Sequence, residues 1–128
     1  MIHAMYDRDG KMHTLSVNGH AGYAKRGEDI VCAGVSAIVY SLIAWLENNS
    51  ESEEYVSIDE HNGEVVIACE GDEKVASVFY MAAVGIETIS NTYPDHVNIN
   101  IGYSRLTRGK SANKERSIEI CETQKSSR

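Results

Sequence analysis

Residues 12–46, MHTLSVNGHAGYAKRGEDIVCAGVSAIVYSLIAWL, pass from a strand through a loop into a helix. MHTLSVN follows IHAMYD across Arg8-Asp9-Gly10-Lys11, where Asp-Gly signals a two-residue hairpin turn between paired strands. From Gly19 to Glu28 no usable apolar period remains and glycine recurs at 19, 22 and 27, so this is a loop whose backbone freedom matters. Beyond Ile30, Val35, Ile38, Val39, Leu42 and Leu46 keep helical spacing. Val31, Ile43 and Trp45 widen that stripe beyond one face, as suits a central helix or one at a subunit contact. Asp29 is placed as its N-cap, because a short carboxylate accepts the orphan amide hydrogens of a first turn, and Asn48-Asn49-Ser50 ends it.

Downstream, residues 55–60 and 64–70 flank His61-Asn62-Gly63, a second hairpin signal. Asp72 caps a second helix in which Val75, Val78, Phe79, Ala82, Ile86 and Ile89 form one apolar face, and Asn91 and Pro94 stop it. Residues 96–102 alternate as a fifth strand, Val97, Ile99 and Ile101 against His96, Asn98 and Asn100. The order ββαββαβ defines an α+β fold, a mostly antiparallel mixed sheet packed with two helices. The two ββα blocks do not align closely enough to make an internal repeat.

A chain of 128 residues suits one domain with one core. Its net charge of −7 is unevenly placed: through Tyr103 there are 16 acids against 5 bases, and from Ser104 onward 3 acids against 7 bases. The acidic body excludes a sequence-independent grip on nucleic acid, which needs bases facing phosphates, and leaves only the basic tail, 104–128, for that role. Periodicity fades in this tail apart from Ser117-Ile118-Glu119-Ile120-Cys121, a candidate short strand in a stretch otherwise read as mobile. No stretch reads as a membrane-spanning helix and the N-terminus lacks a basic region followed by an apolar run, so a cytoplasmic protein without membrane contact is expected. Cys32, Cys69 and Cys121 form no C-x-x-C pair and read as thiols.

Reactive groups concentrate in residues 19–38. With Asp29 as cap, Cys32 is the third residue of the helix, where the partial positive charge of the helix start favours a thiolate. His20, beside glycines and after a strand, is a candidate base that deprotonates the thiol and later protonates a leaving amine. Unpaired amides of the same turn are candidate oxyanion donors. Two readings stand side by side: Cys32 as nucleophile, or as a small buried hydrophobe among Val31, Ala33 and Val35. Asp29 is a cap, or a cap that also orients His20; Ser36, one turn after Cys32, is a further polar neighbour. His3 and His13 are placed to meet across the first hairpin, yet two histidines without a third ligand do not make a zinc site, and the glycines at 19, 22 and 27 fit neither a dinucleotide fingerprint nor a P-loop. No metal or other cofactor is indicated.

Gly19-His20-Ala21-Gly22, Gly27, Asp29-Ile30-Val31-Cys32-Ala33 and Val35-Ser36-Ala37 resemble the motif of the ribosomal-processing cysteine proteases (Prp), small bacterial proteins, and the element order agrees through about residue 102. The resemblance implies a cysteine protease domain over residues 1–103, with Cys32 as nucleophile, His20 as general base and acid, Asp29 as motif aspartate, and Gly19, Gly22, Gly27 and Ser36 beside the substrate. It further implies a homodimer that removes the N-terminal extension of a large-subunit ribosomal protein, the twenty-seventh, cutting after paired aromatic residues. The rival is a ribosome-associated binding module without enzymatic activity, in which Cys32 is structural; a thiol hydrolase of small esters is a third reading.

Overall fold

The computed structural model describes residues 1–25, 27–49, 53–59 and 62–102. Seven elements follow one another: β1 (Ile2–Asp9), β2 (Met12–Asn18), α1 (Ile30–Asn48), β3 (Glu53–Asp59), β4 (Glu64–Glu70), α2 (Glu73–Thr92) and β5 (Val97–Ile101). The expected order holds; β3 begins two residues earlier than its pattern suggested. Residues 103–128, including the candidate strand at 117–121, lie outside the described residues.

The five strands form one sheet in the order β3-β4-β2-β1-β5. The hairpin pairs β1/β2 and β3/β4 are antiparallel, as is β2/β4, and only β1 and β5 run parallel. A parallel neighbour needs a long crossover, and the whole of the intervening chain serves as one. Ile2, Ala4 and Tyr6 on β1, Leu15 and Val17 on β2, Ile67 on β4 and Val97 on β5 are buried in one core with the apolar faces of α1 and α2. Alternate residues His3, Met5 and Asp7 are exposed, so among the described residues the helices cover one face of the sheet and leave the other open. Each fully buried Leu, Ile or Phe in this core, Leu15, Leu46, Ile67, Phe79 and Ile86 among them, contributes about 1.5–3 kcal/mol of transfer free energy.

By length and composition α1 is apolar enough to cross a membrane, with a mean hydropathy of 1.9, contrary to the expectation that no stretch would be. Its apolarity has another use here: Val31, Val35, Val39, Leu42, Ile43 and Leu46 are buried in the core. Where the helices cross, glycines let them approach. Ile89 of α2 seats on Gly34 of α1, and Ile38 of α1 seats on Gly85 of α2.

His3 and His13 do not meet. His3 pairs with Asn18 and points to the open face, whereas His13 is fully buried between Tyr6 and Phe79, with the Tyr6 hydroxyl 2.9 Å from its Nδ1. Burial first, and the Arg8 charge second, hold the His13 imidazole below its ordinary value; the backbone of Gly71 and the charge of Glu73 oppose this less strongly.

Candidate active site

The loop between β2 and α1 opens on a backbone contact. Gly19 donates its N–H to the Gly63 carbonyl at 3.0 Å, which joins the end of β2 to the turn between β3 and β4. With φ at +94° and a Cβ position that would run into the Met1 carbonyl, only glycine fits there. The following His20 is exposed, and its ring rests against Gly63.

Ala21 turns inward and is buried. Its N–H donates to Cys32 Sγ at 3.2 Å, and its carbonyl accepts a hydrogen bond from His96 Nδ1 at 2.8 Å. A carbonyl only accepts, so the His96 proton sits on Nδ1. The Tyr23 ring then packs edge-on against Tyr93 and His96, with centroids 5.3 and 5.4 Å away.

Asp29 closes the loop. One carboxylate oxygen accepts from Val31 N–H at 3.0 Å and Cys32 N–H at 2.9 Å, as an N-cap does. The other accepts from Tyr23 N–H at 3.0 Å and Ala24 N–H at 3.4 Å, tying the loop to the helix start. The Cys32 amide above all holds this carboxyl below the usual carboxylate range; desolvation opposes it, and the amides of Tyr23, Ala24 and Val31 add to it.

Two expectations change as a result. The carboxylate spends its acceptors on four backbone amides and makes no bond to His20, so Asp29 is a staple of the loop. The first-turn amides are also not vacant: Val31 and Cys32 donate to the Asp29 side chain and Ala33 to its carbonyl. Ala21 N–H, 3.2 Å from Cys32 Sγ, is a donor outside these three amides that faces the sulfur.

Cys32 is half-buried and shares a cavity of about 410 Å³ with His20, Gly19 and Ser36. Val17, Val35, Val39, Tyr40, Ile58 and Val65 give it apolar walls, and Asp59 and Glu64 also line it. Gly22 and Gly27 lie in the exposed part of the loop and do not line it. No hydrogen bond joins His20 to Cys32. Cys69 is buried on β4, opposite His13. Among the described residues no cluster of three His, Cys, Asp or Glu side chains is placed to hold a metal ion. Sequence reasoning missed Ala21, Gly63 and His96; the Asn-Gly turn signalled only a hairpin, and His96 signalled only a strand.

A half-buried sulfur at the start of a long helix and a histidine in the same apolar-walled cavity are the residue types that a thiol hydrolase of the cysteine protease class requires. The family described as cysteine protease Prp matches residues 1–98, and the chain belongs to that family. The ribosomal processing cysteine protease Prp of Mycoplasma genitalium is 34% identical over 89 residues, covering 67% of this chain and 85% of that protein. The protein of the same name from Bacillus subtilis is 29% identical over 107 residues, covering 77% and 96%. The crystal structure of the Prp protease of S. aureus with a covalently linked product peptide superposes with a TM-score of 0.72 at 23% identity, over 79% of this chain and 99% of that one. SMU.848 from Streptococcus mutans does so with a TM-score of 0.66 at 29% identity, over 79% and 93%.

Proposed function

We propose that this protease cuts peptide bonds through Cys32 and His20 and that its substrate is the N-terminal extension of the twenty-seventh large-subunit ribosomal protein. The Cys32 thiolate attacks the scissile carbonyl carbon, and the Ala21 amide, adjacent to the sulfur, donates to the oxyanion that forms. His20 protonates the departing amine, leaving a thioester; a water deprotonated by His20 then releases the acid product and restores the thiol. In the free enzyme His20 rests on Gly63 without a bond to Cys32, and closure of the loop on the peptide brings the sulfur and the ring, still backed by Gly63, together.

The observation that carries this reading is the meeting of Cys32 and His20 in one cavity at the start of α1. The apolar walls suit the paired aromatic residues that the resemblance implies before the cut. Long-range attraction between an acidic body and a basic ribosomal protein supports the same partner. The reaction belongs in the cytoplasm, where ribosomal proteins are made. The apolar groove between the helices, about 520 Å³ and lined by Ile38, Leu42, Trp45, Val78 and Met81 among others, is a surface that pairing with a second copy would cover, which supports a homodimer.

A peptide spanning the predicted junction, incubated with parent and Cys32→Ala protein, tests the proposal. The parent cuts after the aromatic pair and the variant does not; equal cutting by Cys32→Ala would remove Cys32 as nucleophile. Salt-sensitive RNA binding that depends on residues 104–128, with no cleavage, would favour the binding-module reading instead. Turnover of small esters with the peptide left intact would point to the ester hydrolase. Deletion of residues 104–128 leaves peptide cleavage intact if the protease domain is residues 1–103.

A further inference from the structure

We infer that His96 is a positioning residue for the nucleophile: it holds the Ala21 amide on the Cys32 sulfur. The inference rests on the reading of Cys32 as nucleophile and adds a residue from the far end of the chain to that site.

His96 is mounted rigidly. Its N–H donates to the Tyr93 carbonyl at 3.0 Å, and its carbonyl accepts from Ile2 N–H at 2.9 Å, so the residue is fixed to the end of α2 and to the edge of β1 at once. From that mount the ring reaches across 75 positions of sequence to the Ala21 carbonyl. Only the two rotations about the Ala21 Cα lie between its carbonyl and its N–H, so fixing the first narrows the directions open to the second, and that N–H faces Sγ. The other anchors of the loop lie on either side: Gly19 on Gly63 before it, and Tyr23 and Ala24 on Asp29 after it. Across residues 20–22 the His96 bond is the side-chain tether on the carbonyl side of Ala21, opposite the Cys32 sulfur on its N–H. The Tyr23 ring, edge-on to both Tyr93 and His96, covers the imidazole from outside.

The chemical consequence follows from the acceptor. A hydrogen bond from a fixed amide holds the sulfur in one orientation at the cavity, which favours attack along one direction. The same amide is the oxyanion donor proposed above, and a donor contributes most when its position is set before the charge develops. Loss of the tether lowers the rate of the chemical step and leaves the apolar walls that bind the peptide unchanged.

His96→Asn and His96→Leu test this, since the two side chains are similar in size and only Asn presents an N–H where Nδ1–H stood. The readouts are the rate of Cys32 alkylation by iodoacetamide at neutral pH, and kcat and KM on the junction peptide. His96→Leu slows alkylation and kcat by about tenfold with KM little changed, and His96→Asn recovers most of both. Equal rates in the Leu and Asn variants, at matched melting temperatures, would overturn the inference. If His96→Leu does not fold, nitrogen NMR of the parent at pH 8 decides: neutral His96 carries its proton on Nδ1, and an Nε2–H tautomer contradicts the bond. Failure of the peptidase reading shows separately, as unchanged cleavage by Cys32→Ala, because alkylation reports on the tether whether or not peptide is cut.

Discussion

The imidazole of His20 lies so close to Gly63 that a Cβ added to the glycine would stand 3.1 Å from Nε2 and 3.3 Å from Cε1. The hairpin turn between β3 and β4 is therefore a wall of the site as well as a connection, and the glycine in it has two duties. Its φ of +63° meets the turn's need for a left-handed residue, and its missing side chain makes room for the ring.

Substitution separates those duties. Gly63→Ala strains the backbone, by about 1 kcal/mol or somewhat more, and displaces His20; Gly63→Asn relieves much of the strain and still displaces His20. Both lower kcat by about tenfold, as misplacement of a general base does, while the Asn variant melts at the higher temperature of the two. Full activity in Gly63→Asn would mean that the ring does not depend on this seat.

Asp29 has a comparable double duty, with four amides on one carboxylate. Asp29→Ala releases the loop and uncaps α1 together, so kcat falls and the melting temperature drops. Asp29→Asn keeps acceptor capacity on one side only and lies between. The pH dependence is specific: because the folded carboxyl is held below its ordinary value, its contribution is complete above about pH 4 and is lost as pH falls through the lowered folded value. Acid melting curves of the parent and Asp29→Asn therefore differ in shape below about pH 4 and run parallel above it.

His13 sets a second and higher window. Its folded value is lowered, so between the ordinary imidazole value of about 6.5 and the folded one the unfolded chain takes up a proton that the buried ring refuses. Stability from this group is full above that range and declines through it as pH falls, by no more than about 1.4 kcal/mol per pH unit, with no further loss below it. His13→Gln, which keeps a polar group near the Tyr6 hydroxyl, is less stable at pH 8 and loses less on going from pH 7 to pH 5. Parallel pH curves for the two proteins, measured by denaturant melts, would assign the acid sensitivity to other groups.

The division between what the residues announce and what they hide is physical. Turn glycines, alternation and helical spacing are local, so Asp9-Gly10, Asn62-Gly63 and the stripe from Val31 to Leu46 placed five strands and two helices in order. The cap at Asp29 was equally local, since its amides lie two and three residues away. What escaped were pairings made by the crossover topology: β5 lands beside β1, and only then does His96 come within reach of Ala21. The expectation of free first-turn amides failed for a related reason. The residue that caps the helix engages the Val31 and Cys32 amides through its own carboxylate, so the same local signal that marks a cap also occupies those two donors. The loop carries no apolar period; its ties run through backbone amides, which no side-chain pattern records.

The crossing of α1 and α2 supplies the last prediction. A Cβ on Gly34 would come within 3.3 Å of Ile89 Cδ1, and one on Gly85 within 3.0 Å of Ile38 Cδ1. Both neighbours are the far ends of flexible side chains, and both glycines sit in helix interiors, where alanine is favoured by about 1 kcal/mol. At Gly34 the contact asks for a small movement, so the helical preference prevails and Gly34→Ala matches or exceeds the parent in stability. At Gly85 the contact is closer, and three atoms of Ile38 lie within 4 Å rather than one of Ile89, so displacement offsets more of the gain and Gly85→Ala falls below Gly34→Ala. Leucine at either position overpacks the crossing, at a cost of about 1–3 kcal/mol. Urea melts of the four variants give this order; destabilisation by Gly34→Ala beyond about 1 kcal/mol would show that the two helices are held closer, and more rigidly, than side-chain adjustment can absorb.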